Sequence, residues 1–126
     1  MLTIEELIEK GLLIVPDEDH RLSIQDLLLG KRFADTGGVY VFYTEYDEPL
    51  YVGISNSVYK RVPEHLGSAK GNIDLVNYVG SGRDGYVSVF HEADKVYQEL
   101  YESYLIGTLS PRFNVSKTGR KKIKHE

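Results

Sequence analysis

The chain has no cysteine and no tryptophan, one methionine and four prolines in 126 residues. Without cysteine there are no disulfide staples, thiolate metal sites or cysteine nucleophiles, which fits a reducing cytoplasm. No uninterrupted apolar run approaches the roughly 18–20 residues of a membrane span. The first residues carry Glu5, Glu6 and Glu9 instead of the basic start and apolar core of a signal peptide. The expectation is a soluble cytoplasmic protein. Excess positive charge is lacking too, since the formal net charge is −4. What is present is ordinary for a folded domain: 41% hydrophobic and 27% charged residues, with ten tyrosines. The length suits one compact domain.

Charge is unevenly spread. Residues 1–20 carry six acids against Lys10, and residues 116–126 carry Lys117, Arg120, Lys121, Lys122 and Lys124 against Glu126. Phosphates respond to the local field and not to the sum, so an acidic chain can still present a nucleic-acid surface. The basic tail reads equally as a DNA arm or as a solvated terminus.

Thr3 and Glu6 stand at capping-box spacing ahead of Leu7 and Ile8, which predicts a short helix over 3–10. Residues 16–20 read as a polar turn. Ser23 precedes a second short helix over 24–29, stopped by Gly30. Val39 to Thr44 and Leu50 to Ile54 are rich in β-branched and aromatic residues and flank turn chemistry at 45–49, which predicts a hairpin. Val58 to Leu66 is helix-like despite Pro63, and a short segment surrounds residues 73–79. Tyr86 to Phe90 alternates as a third strand. Ala93 to Leu109 is the longest helical pattern, with Val96, Tyr97, Leu100, Tyr104, Leu105 and Leu109 expected on its core face, and Pro111 ends it. The predicted class is α+β: a small, mainly antiparallel three-stranded sheet flanked by helices. A helical extension occupies residues 1–35, a main domain 36–115 and a basic tail 116–126.

Several residues stand at suggestive intervals. Gly38-Val39-Tyr40 opens the first strand and Tyr51-Val52-Gly53 lies on the second. Arg61 follows ten residues after Tyr51. Glu102 sits on the long helix, and Pro111-Arg112-Phe113-Asn114 follows it. Phosphodiester cleavage needs an activated water and relief of charge on the phosphate. A glutamate can hold one Mg²⁺, which keeps several waters and borrows a phosphate oxygen. An arginine offers a permanent forked cation. A tyrosine becomes a base only where positive charge lowers its pKa from about 10. Read singly, each residue also has a plain explanation: strand aromatics, solvated charges, a turn asparagine. Glu99, one turn before Glu102, is a rival carboxylate. His65, four residues after Arg61, reads either as a phosphate contact or base, or as an idle surface histidine.

Together, Gly-Val-Tyr, Tyr-Val-Gly, the following arginine, and Glu-x-x-Leu-Ile ending in Pro-Arg-Phe-Asn resemble the GIY-YIG nuclease superfamily over residues 37–115. The spacing is similar to that of the N-terminal nuclease domain of bacterial excision-repair incision subunits. Lys60-Arg61-Val-Pro-Glu-His65 resembles a run in phage and intron-encoded members. The resemblance implies an endonuclease acting on DNA with one divalent ion, Mg²⁺ or Mn²⁺. It implies Tyr40 as base, Arg61 as phosphate clamp, Glu102 as metal ligand, Asn114 as a site-supporting hydrogen bonder and Tyr51 as a positioning or proton-relay group. Two departures stand out. Ile54 occupies a place where many relatives carry lysine, leaving Lys60, Lys70 or the tail to supply that charge. Pro63 falls inside the expected helix, which predicts a late start or a kink. A non-cutting module that binds nucleic acid or protein, and a nuclease whose specificity comes from a partner protein, remain open beside the active enzyme.

Overall fold

The computed structural model describes residues 9–10 and 20–114. The helix expected over 3–10 falls almost wholly outside the described residues, as does the basic tail. Eight elements follow in chain order: β1 (His20–Ser23), α1 (Ile24–Leu28), β2 (Gly38–Thr44), β3 (Pro49–Ser55), α2 (Val58–Glu64), α3 (Ile73–Gly80), β4 (Gly85–His91) and α4 (Lys95–Leu109).

All strand pairings are antiparallel, and the sheet order is β1-β4-β2-β3. The expected α+β class holds, but the sheet has four strands and not three. The additional strand, β1, lies within the stretch expected to be helical. His20-Arg-Leu-Ser23 carries no strong strand signal of its own, and its extended form comes from pairing along β4. Arg21 fastens that edge. Its guanidinium lies 4.2 Å from the Tyr86 ring centroid and 5.5 Å from that of Tyr43, and it donates to Ser88 Oγ at 3.2 Å. Stacked cations of this kind need tertiary neighbours, which a local pattern does not reveal. The helix of the extension is present: Ser23 Oγ accepts from the Asp26 N–H at 2.9 Å, a cap worth about 1 kcal/mol, and α1 stops before Gly30.

Strand alternation sorts the core into two layers. Tyr40, Phe42, Tyr51, Val87 and Val89 face one side, where they pack with Ile24 and Leu27 of α1, Val58 and Val62 of α2, and Leu75, Tyr78 and Val79 of α3. Val39, Val41 and Val52 face the other side and meet Tyr101 and Leu105 of α4.

Two local expectations change. The buried face of α4 is Gln98, Tyr101 and Leu105, whereas Val96 is 64% exposed and Tyr97 41%. The Gln98 side chain turns inward and donates from Nε2 to the Glu92 carbonyl at 2.7 Å, so a polar residue holds the position that the apolar pattern gave to its neighbours. Pro63 neither delays nor interrupts α2, which begins at Val58 after the Ser57 cap. The last turn tightens instead, with His65 N–H donating to Val62 O and Leu66 N–H to Pro63 O.

Beyond α4 the chain returns to the sheet edge. Arg112 and Phe113 N–H groups donate to the carbonyls of Pro49 and Leu50. Asn114 grips Val52, accepting its N–H at Oδ1 (2.8 Å) and donating from Nδ2 to its carbonyl (3.0 Å). The edge of β3 is thereby covered. Among the described residues no helix is long and apolar enough to cross a membrane.

Candidate active site

Tyr40 projects from β2 into the helix-covered layer and is 1% exposed. Its strand partner is Gly53. A Cβ at Gly53 would stand 2.4 Å from the Tyr40 hydroxyl oxygen, so the glycine of Tyr51-Val52-Gly53 makes room for the phenol of Gly38-Val39-Tyr40. The two motifs are thus one packing unit. Tyr51 lies on the same face, its ring centroid 6.3 Å from that of Tyr40.

His65, the cap at the end of α2, completes this cluster. Its ring centroid is 5.4 Å from both tyrosine rings and it is fully buried, which corrects the surface reading of this residue. Its Nδ1 accepts the backbone N–H of Asn72 at 2.8 Å, and its Nε2 lies 2.8 Å from the Tyr40 hydroxyl. A backbone N–H only donates, so Nδ1 carries the lone pair and the neutral ring keeps its proton on Nε2. That proton points at Tyr40. Burial, and secondarily the Arg61 charge, push the His65 pKa down to about 4, so the ring is neutral at pH 7 and the tautomer is defined.

Arg61 lies one turn before His65. Its Nη1 donates to Glu64 Oε1 at 2.7 Å and to the Lys70 carbonyl at 2.8 Å, and its charge acts on Tyr40, pulling the phenol pKa down. The hydrogen bond from Arg61, and then its charge, hold Glu64 below the usual glutamate range. Tyr40 therefore has one donor at its oxygen, His65 Nε2–H, and a cation near it. Burial still dominates: it raises the Tyr40 pKa well above the ordinary tyrosine value, Tyr51 raises it further, and Arg61 pulls the other way. The donor and the cation favour a phenolate, but the free site keeps Tyr40 protonated at neutral pH.

Glu102 comes to the site from α4 on the opposite layer. Its carboxylate is half-buried and lies close enough to Tyr40 to raise its pKa electrostatically. Glu99 is exposed, and the α4 carboxylate that acts on Tyr40 is Glu102. Among the described residues no three His, Cys, Asp or Glu side chains gather into a metal cage. A single carboxylate suits Mg²⁺ or Mn²⁺ completed by water and phosphate oxygens, and it suits neither Zn²⁺ nor an all-protein Ca²⁺ site.

The structure thus packs Tyr40, Tyr51 and His65 together, with Arg61 and Glu102 within electrostatic reach of Tyr40. Asn114 stands apart from that cluster in role: both its amide groups are committed to the Val52 backbone beside Tyr51, so it braces the strand that carries Tyr51 and Gly53. Lys60 and Lys70 are exposed on α2 and the loop after it. Ile54 packs against the α4-side cluster of Val39, Val41 and Val52, an apolar position that supplies no charge. Lys117, Arg120, Lys121, Lys122 and Lys124 lie outside the described residues. Three contributors escaped the sequence reading. Glu64 was legible as an i,i+3 partner of Arg61. The Lys70 carbonyl and the Asn72 N–H, being backbone groups, leave no signal in residue identity.

Residues 36–115 match the model of the GIY-YIG catalytic domain. The uncharacterised protein YurQ of Bacillus subtilis (strain 168) is 31% identical over 85 residues, 66% of this chain and 64% of that protein. UvrABC system protein C of Caulobacter vibrioides is 38% identical over 85 residues, 67% of this chain but only 13% of that protein. The crystal structure of the GIY-YIG N-terminal endonuclease domain of UvrC from Thermotoga maritima, bound to its catalytic magnesium, matches with a TM-score of 0.52 at 20% identity, covering 87% of this chain and 98% of that one. The glycine-seated tyrosine pair on β2 and β3, the arginine of α2, the glutamate of α4 and the family match over 36–115 together establish that this chain belongs to the GIY-YIG family of nuclease domains.

Proposed function

We propose that the chain is a metal-dependent endonuclease that hydrolyses DNA phosphodiester bonds. The observation that carries this reading is the His65 Nε2–H donor at one buried tyrosine oxygen, within electrostatic reach of the Arg61 cation and the Glu102 carboxylate. Tyr40 takes the proton of the attacking water as general base. The water oxygen bonds to phosphorus while the bond to the leaving oxygen breaks. His65 and Arg61 stabilise negative charge on Tyr40, and Arg61 also faces the phosphate. Tyr51 holds the aromatic wall that seats Tyr40 and His65. Glu102 holds the single divalent cation, Mg²⁺ or Mn²⁺. When bound, that ion supplies positive charge for the developing phosphate charge and lowers the pKa of Tyr40. Asn114 keeps β3 in register. Lys60, Lys70 and the basic tail contact backbone phosphates and replace the charge missing at Ile54. In this reading the protein works in the cytoplasm, and a partner protein supplies sequence or structure specificity, since the described residues are occupied by the nuclease fold itself.

The raised Tyr40 pKa and the apolar Ile54 favour a second reading, a domain that binds nucleic acid without cutting it. Incubation of the chain with plasmid, single-stranded and branched DNA, with and without Mg²⁺ or Mn²⁺, separates the two. Metal-dependent cleavage of any substrate supports the enzyme. Binding without cleavage under every condition contradicts it.

A further inference from the structure

The backbone of Lys70-Gly71-Asn72, just before α3, touches both Arg61 and His65. The Lys70 carbonyl accepts from Arg61 Nη1 at 2.8 Å, and two residues later the Asn72 N–H donates to His65 Nδ1 at 2.8 Å. Gly71, between them, lies tightly on the end of α2. A Cβ there would stand 2.2 Å from the Glu64 carbonyl oxygen and 2.7 Å from His65 Cα. Backbone cannot yield by that much locally, so any side chain at 71 lifts the loop away from both partners.

We propose that Lys70-Gly71-Asn72 is the positioning element of the site: its backbone selects the His65 tautomer that donates to Tyr40 and anchors the Arg61 guanidinium through the Lys70 carbonyl. This rests on the reading of Tyr40 as base. A neutral imidazole has one N–H and two places for it. With Nδ1 occupied by the Asn72 N–H, the proton stays on Nε2 and the bond runs from His65 to Tyr40. Were Nδ1 to carry the proton, Nε2 would present a lone pair, and the Tyr40 hydroxyl would donate instead. A bond in that direction favours the neutral phenol, whereas the direction set by the Asn72 N–H favours the phenolate. One backbone N–H therefore sets the direction of the hydrogen bond on which the base depends. The role belongs to positions 70–72 as backbone and needs glycine only at 71.

The test uses position 72, where φ is −66°, the value proline prefers. Asn72→Pro deletes the N–H and puts the proline Cδ in its place, so the His65 ring loses both the hydrogen bond and its seat. It also deletes the side-chain cap, in which Asn72 Oδ1 accepts the Leu75 N–H. Asn72→Ala deletes the cap alone and is the reference. The imidazole ¹⁵N shifts of the parent, with His65 assigned from His65→Gln, are expected to show Nε2 protonated and Nδ1 bare at pH 7. In Asn72→Pro they are expected to move toward a mixture of tautomers. The single-turnover cleavage rate at saturating DNA is expected to fall about tenfold or more below that of Asn72→Ala, with DNA affinity changed less than about twofold, as befits loss of the hydrogen bond that orients His65 together with a shift of its ring. A parent His65 protonated on Nδ1 overturns the proposal, as do equal rates in the proline and alanine variants. If Asn72→Pro does not fold, the parent spectrum decides alone. If the parent cuts no DNA, the functional reading fails, while the tautomer spectrum still decides whether the loop sets His65.

Discussion

The two layers of the sheet furnish the site in opposite ways. On the α2 and α3 side, Tyr40, His65 and Arg61 are locked by packing and by hydrogen bonds to one another and to the backbone. On the α4 side, the contribution is one half-buried carboxylate, Glu102, above an apolar layer of Val39, Val41 and Val52. The first half is built in the free protein. The second is sparse, and under the proposed function its ligand shell would be completed by substrate oxygens and water. In that reading proton handling depends on the interior and phosphate chemistry on a partly exposed helix carboxylate.

The largest effect expected from this contrast is the separation of activity from stability at Glu102. Glu102→Ala should lower metal-dependent cleavage by about a thousandfold or more, because charge stabilisation at the phosphate is a dominant catalytic contribution. Its unfolding free energy should stay within about 0.5 kcal/mol of the parent, as for other substitutions at exposed or partly exposed helix positions. Paired cleavage assays and urea titrations measure both. Loss of activity in Glu99→Ala, with Glu102→Ala fully active, would move the ligand one turn back along α4.

On the interior side the contrast should appear as pH-dependent stability. His65 has a folded pKa of about 4 against an unfolded value near 6.5. Both states are neutral above pH 7. As the pH falls through 6.5 the unfolded chain takes up the proton first, so stability declines until the folded value is passed. The linked loss is about 2 kcal/mol by pH 5 and about 3 kcal/mol below pH 4. Urea unfolding of the parent and of His65→Gln at pH 7 and pH 5 should show the extra decline in the parent only. Parallel declines would mean that His65 is not buried neutral.

The same contrast explains what the sequence made legible. Tyr40, Tyr51, Arg61 and Glu102 were readable because each sits at a fixed interval on a strand or helix whose pattern is local. The link between Tyr40 and Gly53 was not, although both residues were in view, because the contact needs the register of β2 on β3. His65 was misplaced on the surface because nothing in its own helix announces that the loop to Asn72 returns over it. β1 was missed because four residues become a strand only against β4. On α4, the inward turn of Gln98 toward Glu92 overrode an apolar pattern that placed Val96 and Tyr97 inside.

The smallest effect on the chemistry belongs to the tail. Residues 117–126 carry Lys117, Arg120, Lys121, Lys122 and Lys124 against Glu126, and none of the grouped site residues. Their deletion should weaken DNA binding and flatten its dependence on salt, since fewer counterions are released, while the cleavage rate at saturating DNA stays nearly constant. An unchanged salt slope would make the tail a solvated end. A collapse of the saturated rate would make it part of the site.

The central claim is that Tyr40, poised by His65 and Arg61, is the base. Single-turnover cleavage at saturating Mg²⁺ and DNA, followed from pH 6 to pH 9 in the parent and in Tyr40→Phe, tests it most directly. Burial raises the Tyr40 pKa, so the deprotonated fraction, and with it the parent rate, should climb by about tenfold per pH unit until the pKa in the loaded site is reached. Tyr40→Phe should be slower by about a hundredfold or more and lack that climb. A phenylalanine variant that cuts at the parent rate, or that keeps the same pH profile, would contradict the account.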